Sequence, residues 1–555
     1  YGLVGSEMCI RDRCCMVLTM LPTTVLAADG PMDTIPKYDV SIDVYNRTSD
    51  ISIKDSRSYY IYSSVPDKLR DTWAWDKKIF IKGDKTAPHV FIDGVNIEMS
   101  PSSKGPAIEL NKKASAYIYF IGKNSSLQGA DGRAAIQKNR SEGQLYVLAR
   151  IGTTVTCKGG DKAAGIGGSY ATRNISNGYY NGDMYGHGVN MHFGSQSNPD
   201  YWGGIIAAIG GNGGAGIGGG QGGAGEKLYF YSGTIQATSD RFASGIGGSY
   251  EGRGSEIYIY GGTVSAQGGE GGAGIGGGCW KTEQDMNGIN AAHDIYISGG
   301  TVTAKGGYNG AGIGGGQYVP ARNITVTGGV VTATGHYGAA IGGGRWCHGM
   351  DITLTDATLN LSTNYRSNGS NAAAVGYGDI VYKPEQLVAD PSIATNDRIK
   401  VGSKNGKIVM LTANGHALRT DGKPSYFMHL TDFLIPDSDG MIDLSLLTLP
   451  YTQNYGWAIT DLDMKMMETS CEGNHVYGWK DWNGCHVWGC TRCPARDPLK
   501  SGPAPDGEHI PGEWESQEKK CTVCGHKLMK DTTPPVIEGI TVSYTHLTLP
   551  TKLEV

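Results

Sequence analysis

A basic excess is missing from this chain: Lys+Arg 48 against Asp+Glu 53 gives a net charge of −5, so it has no electrostatic field suited to duplex nucleic acid. Long apolar runs are missing too. Beyond Cys14–Leu26 no segment approaches the roughly 18 apolar residues of a membrane span. Proline nearly vanishes between positions 201 and 350, where only Pro320 occurs, and no Gly-X-Y triplet runs through that glycine-rich stretch, which excludes collagen. No helical period follows any of its Gly-x-Gly-x-x-Gly runs, so the strand-to-helix phosphate loop of a nucleotide site is excluded as well. What is present is 86 glycines in 555 residues, with 39% apolar and 18% charged residues, enough burial material for an ordered chain of several domains.

Self-similarity organises the rest. Ala-Gly-Ile-Gly-Gly recurs at Ala164–Gly168, Ala215–Gly219, Ala273–Gly277 and Ala311–Gly315, and close variants place equivalent residues at Ile108, Ile136, Ile246, Ile341 and Val375. The spacing is 28 to 38 residues, with one 51-residue gap holding an insertion. Each period also carries alternating runs, such as Glu256-Ile-Tyr-Ile-Tyr-Gly-Gly-Thr-Val-Ser-Ala, whose period of two denotes strand. Three short strands per period, turned by glycine pairs, predict coils stacked about 4.8 Å apart. The fold expected is therefore all-β: a right-handed parallel β-helix, a pectate-lyase-like solenoid, followed by a small β-rich module and a Cys-rich module. A β-propeller is the competing fold, but it needs four strands and about 40 residues per blade. The expected inward column is Leu228/Phe230, Ile257/Ile259, Ile295/Ile297, Ile324/Val326 and Ile352/Leu354, with Ala266, Ala304, Ala333 and a buried, unreactive Cys157 at narrow corners.

The repeated phrase resembles a family of glycine-rich, AGIGGG-repeat β-helix surface proteins of gut bacteria, often described as carbohydrate-binding-like. The resemblance covers about residues 51 to 380, including Lys78-Ile-Phe-Ile-Lys-Gly and Ile92-Asp-Gly-Val-Asn-Ile. It implies a surface role and says little of activity.

The expected organisation runs as follows. Residues 1–13 and 543–555 resemble translated sequencing adapters, so the chain reads as a piece of a longer protein. Residues 14–28 read as a signal-peptide remnant, with Val25-Leu26-Ala27-Ala28 suiting a signal peptidase and a buried strand as the alternative. An N-terminal cap region (29–50), the β-helix (51–380), a β-rich module or cap (381–465), a Cys-rich module (466–530) and the start of an immunoglobulin-like domain (531–542) complete it. In the Cys-rich module, Cys490-Thr-Arg-Cys493 and Cys521-Thr-Val-Cys524 offer four thiolates for structural zinc, the one cofactor expected. A disulfide framework remains the alternative in an exported segment, since the even cysteine count suits it.

Function on such a rod belongs to its outer faces and loops. Aromatic residues stand just past the repeated marker at Tyr170, Tyr250, Trp280, Tyr318, Trp346 and Tyr377, and a second outward set is Tyr229, Tyr258 and Tyr296 beside Tyr231 and Tyr260. Rings one coil apart match the apolar faces of sugars, two coils spanning about 9.6 Å; equally, they could stack on one another and stiffen the rod. The expected partner is a polysaccharide or a host or cell-surface glycan, bound by a secreted or cell-surface monomer without catalysis. A stalk or adhesin without glycan specificity, and a polysaccharide lyase or glycoside hydrolase, stay open as alternatives. For the enzyme, Glu251, Arg253 and Glu256 could meet Glu283 and Asp285 on the next coil, while His293-Asp294 and Trp346-Cys347-His348 read as surface residues. A short Thr-x-Thr column (Thr263/Ser265, Thr301/Thr303, Thr325/Thr327) offers a weak ice-binding pattern.

Overall fold

The computed structural model describes residues 36–379, except 84, 101–104, 112, 140–141, 171–174, 177–178, 181–185, 281–290, 364–371, 373 and 377. Beyond these it describes 400–402, 408–418, 424–434, 441–443, 457–467, 476–482, 485–493, 507–508, 511–515, 518–523, 525 and 527–529. The chain divides into two compact units, Tyr1–Thr469 and Ser470–Val555.

The first unit is a right-handed parallel β-helix with three long sheets of 13, 12 and 11 strands. The chain visits them in a fixed order, as in Gly225–Phe230 on the first sheet, Thr234–Thr238 on the second and Ile246–Gly247 on the third; Gly254–Ile259 then opens the next coil. Neighbouring coils pair in parallel and in register, Leu228 with Ile257 and Phe230 with Ile259. The parallel arrangement explains the near-continuous Ile, Val and Leu of the interior.

The marker isoleucines form a single file along the third sheet: Ile108, Ile136, Ile166, Ile217, Ile246, Ile275, Ile313, Ile341 and Val375 pair in succession. All are buried. Their flanking residues explain the phrase they sit in. The amide of the leading Ala donates to the carbonyl four residues on, at 2.9 Å for Ala215 to Gly219 and 3.0 Å for Ala273 to Gly277. The Gly after each Ile adopts a φ between +114° and +143° over Gly167, Gly218, Gly247, Gly276, Gly314, Gly342 and Gly376. A Cβ there would come within 2.1 Å of the next coil's carbonyl oxygen, as for Gly276 against Gly314. Only glycine satisfies both demands.

The first-sheet inward column is as expected from the sequence, with Leu228, Phe230, Ile257, Ile259, Ile295, Ile297, Ile324, Val326, Ile352 and Leu354 all buried. The alanines need a correction. Ala266, Ala304 and Ala333 do not close corners; they pair in one inward file with Ala237, Ala208 and Cys157 in the middle of second-sheet strands, and glycines make the corners. Complete burial pushes the Cys157 thiol up, so it serves as a small apolar side chain.

First-sheet strands also share a feature invisible to period counting. Asn190, Lys227, Glu256, Asp294, Asn323 and Asp351 take left-handed φ values of 52° to 59°. Where the flanking residues pair, these are skipped by the register, so each is a bulge that shifts the alternation by one. At the C-terminal end, Trp457–Met467 pairs antiparallel with Thr358–Ser362 of the second sheet, and Ile408–Leu418 and Pro424–Leu434 extend it. Lys400–Gly402 extends the first sheet in parallel, and Met441–Asp443 follows it antiparallel. On these two sheets the last coil's backbone edge is thereby occupied by local strands. At the other end, the first sheet begins with Val40–Asp43 against Ser58–Tyr62.

The second unit contains a hairpin of Tyr477–Trp482 with Cys485–Cys490, edged by Gly507–Glu508, and a three-stranded sheet of Pro511–Glu515, Glu518–Cys521 and Lys527–Met529.

Candidate functional site

Two outer surfaces of the β-helix concentrate aromatic rings. On the first sheet, His89, Tyr117, Tyr146, His192, Tyr229, Tyr258 and Tyr296 form one ladder, with successive centroids 4.7, 4.5, 4.4, 4.5, 5.0 and 5.1 Å apart. Interplanar angles of 4° to 17° mean that ring faces lie against ring faces. Tyr231 and Tyr260 stack beside it at 5.4 Å. Burial within the ladder holds His192, 6% exposed, down to about 3 and pushes the Tyr229 hydroxyl up to about 12. The sequence pattern located Tyr229, Tyr258 and Tyr296 but missed His89, Tyr117, Tyr146 and His192. Tyr117 and Tyr146 precede the 51-residue interval that holds the insertion, and His192 lies inside that interval, where the period breaks.

The second surface is the turn from the third sheet to the first. The rings expected there do not form one file. Tyr170 and Tyr250 stand four residues past their marker isoleucines and donate their amides to Gly132 and Gly213, each at 2.9 Å. Trp280, Tyr318 and Trp346 stand five residues past theirs and bond to Gln317, Arg345 and Asp379 at 3.0, 3.2 and 3.0 Å. Tyr170 is exposed beside the Lys162 ammonium, and Tyr250 is half-buried against Phe242. Trp280 must be corrected: it is 1% exposed and belongs to the core. Tyr318 and Trp346 take left-handed φ values of 63° and 67°, whereas Trp280 is not among the left-handed residues, and the backbone therefore aims its indole differently. Tyr377 lies outside the described residues.

Tyr318 and Trp346 are brought together, stacked at 4.7 Å. Around them stands a polar network that the sequence did not disclose. The Arg345 guanidinium carbon lies 4.2 Å from the centroids of both Tyr337 and Trp346. Its Nη1 donates to Asn309 Oδ1 at 3.2 Å, Asn309 Nδ2 donates to Gln317 Oε1 at 3.2 Å, and its Nε lies 3.7 Å from the buried Asp379 carboxylate. Tyr308, 44% exposed, caps the group, with its hydroxyl 3.4 Å from that of Tyr337 and its ring 4.3 Å from His336. Burial and then the Arg345 charge hold His336 below its ordinary range. Tyr308 is exposed and Tyr318, Tyr337 and Trp346 are half-buried, so amides, an ion pair and partly open rings stand side by side, groups that can meet hydroxyls and apolar ring faces together.

Of the residues considered for catalysis, Arg253 is paired: its Nε and Nη2 donate to the Glu226 carboxylate at 2.8 and 2.7 Å, and Glu251 is buried. Glu283 and Asp285 lie outside the described residues. For Asp294, burial raises the carboxyl, but His293 Nδ1 at 2.8 Å and the Asn323 amide outweigh it and bring it below the usual range. Burial pushes the Cys347 thiol up to about 12, which removes it as a nucleophile near neutral pH.

In the second unit, Cys490 and Cys521 are buried and Cys493 half-buried. The Arg492 amide donates to Cys490 Sγ at 3.4 Å, and Lys480 Nζ bonds the carbonyls of Cys490 and Cys493 at 3.0 and 3.2 Å. Among the described residues no group of three or more His, Cys, Asp and Glu is gathered for a metal; Cys524 lies outside them. No helix among the described residues is long and apolar enough to cross a membrane.

A family model described as a beta helix repeat matches residues 231–250, 257–279, 295–317 and 324–345. Each match falls within a single turn of the rod and takes in its second-sheet strand and its marker isoleucine. Sheet topology and repeat together define a parallel β-helix protein. No curated protein and no solved structure matches the chain.

Proposed function

We propose that this β-helix is a carbohydrate-binding platform, non-catalytic and displayed at a bacterial cell surface. The observation that carries the reading is the corner where Tyr308, Tyr318 and Trp346 stand beside Asn309, Gln317 and Arg345. Sugars present apolar faces and ringed hydroxyls at once, and such a surface answers both. Export is supported by the apolar run Cys14–Leu26 ahead of Ala27-Ala28. A glycan array probed with the intact protein and with Trp346→Ala tests the platform: the intact chain binds, and the variant loses roughly ten-fold in affinity. Absence of any glycan ligand ends the reading.

A structural rod without glycan specificity has its own support in the first-sheet ladder, whose rings cover one another. The fold is also compatible with a polysaccharide lyase. Release of unsaturated uronides from polygalacturonate, abolished by Arg253→Ala, would favour that activity.

We also propose that Cys490, Cys493, Cys521 and Cys524 hold structural zinc in the second unit. Support comes from two CxxC pairs and from the amide of Arg492 donating to Cys490 Sγ, a bond that stabilises a thiolate. Bound zinc would order this segment when present. Metal analysis with thiol titration decides: stoichiometric zinc, with thiols that react once a chelator is added, supports it, and disulfide-linked peptides in mass spectrometry refute it.

A further inference from the structure

Resting on the platform reading, we infer that the corner around Arg345 recognises the carboxylate of an acidic sugar, a uronate or a sialic acid, through the Arg345 guanidinium. A planar guanidinium matches a carboxylate with paired donors, and it serves best when its orientation is fixed before the ligand arrives. Arg345 is held in that way. Its guanidinium carbon lies 4.2 Å from the ring centroids of both Tyr337 and Trp346, Nη1 donates to Asn309 Oδ1 at 3.2 Å, and Nε faces the Asp379 carboxylate at 3.7 Å.

Most of its donors are nevertheless unspent. Among the described residues Nε has no hydrogen-bond partner, none is found for Nη2, and Nη1 carries a second hydrogen besides the one on Asn309. The side chain is 24% exposed, which leaves Nη2 within reach of a ligand. The buried Asp379 repels the same ligand and so limits its affinity, but it does not occupy the fork. The neighbours suit the rest of such a sugar: the exposed Tyr308 ring offers an apolar face, and the side-chain amides of Asn309 and Gln317 complement hydroxyls. A net charge of −5 gives the chain no general attraction for polyanions, so a preference for acidic glycans has to arise locally.

Biolayer interferometry of the full chain on polygalacturonate, on alginate, on sialylated oligosaccharides and on the carboxyl-reduced form of each tests the inference. The expected result is that at least one acidic glycan binds roughly ten-fold tighter than its reduced form, by a margin that shrinks as salt rises. Which arm does so tells a uronate from a sialic acid. Arg345→Gln brings acidic binding down to the level of the reduced form, and Arg345→Lys, which keeps the charge and loses the planar fork, recovers only part of it. Should Arg345→Gln lose its circular-dichroism signature, Arg345→Lys and the hydrogen-exchange footprint of the acidic glycan on the intact chain replace it, with protection expected over 308–318 and 336–347. Equal binding of acidic and reduced forms overturns the inference while sparing the platform. A folded Arg345→Gln or Arg345→Lys protein that keeps the full preference overturns it too, as does a footprint confined to other parts of the rod. A chain that binds no glycan of either kind loses the platform itself, and the inference with it.

Discussion

The first-sheet ladder and the glycine corner carry similar aromatic residues to opposite ends. On the ladder, Tyr or His recurs at one register position in coil after coil, so each ring meets the next at 4.4 to 5.1 Å and the faces are consumed in stacking. At the corner, residue type changes from coil to coil: Tyr250, Cys279, Gln317, Arg345 and Asp379 follow one another in equivalent places, and rings stand beside amides and an ion pair. A solenoid that repeats a ring makes a stacked spine, and one that varies the residue sets unlike groups side by side. Strict repetition, in other words, tends to argue against ligand contact in this architecture.

The comparison can be broken in several places. Gly276→Ala, at the corner, forces a Cβ to within 2.1 Å of the Gly314 carbonyl at a φ of +130°. Strain and overpacking together should cost roughly 3–5 kcal/mol, seen as lost hydrogen-exchange protection in neighbouring coils. A mild effect there would mean that the corner yields. Acid attacks the ladder instead. His192 is held down to about 3 from an ordinary 6.5, so as pH falls below 6.5 the unfolded chain takes up a proton that the folded ladder refuses. Stability is therefore full above that pH and declines by at most about 1.4 kcal/mol per unit towards pH 3, and His192→Phe should blunt the decline in urea titrations.

Tyr258→Ala removes the stacks on Tyr229, Tyr260 and Tyr296 and should cost roughly 1–3 kcal/mol with glycan affinity unchanged, whereas Trp346→Ala should destabilise less and weaken binding roughly ten-fold. Equal effects of the two on binding would erase the distinction between the surfaces. Smallest is Ile275→Val, about 0.5–1.5 kcal/mol, since the file of isoleucines needs an apolar side chain of about this size; beside it Gly276 should stand out as the stricter letter of the marker.

The legible part of the sequence was whatever repeats facing inward. Ile217, Ile246 and Ile275 recur at a nearly constant spacing, and their burial in one file follows because a coil can hide its inner face only against copies of itself. Less legible was anything that depends on phase. Tyr170 and Trp280 look alike as rings past the marker, yet a one-residue difference puts them in different files, and Trp280, without the left-handed φ of Tyr318 and Trp346 at the same offset, enters the core. Left-handed bulges at Asn190 and Asp294 moved the alternation in a way that counting by two does not register, and His192 lies within the 51-residue interval where the marker period breaks. Ala266 read as a corner residue because small side chains suit turns, whereas it sits in mid-strand.

Sequence alone therefore determined the coil, its glycine-bearing marker and the axis along which the interior stacks, since hydrophobic burial in a repeat is settled by periodicity. Tertiary structure alone decided which outer groups meet. Arg345 and Asn309 are 36 residues apart, and no local pattern joins them; the pitch of the coils does, by laying one turn's loop against the next. Where an aromatic ring then points depends on the φ of its own backbone and on the carbonyl of the neighbouring coil, two conditions that exist only once the rod has formed.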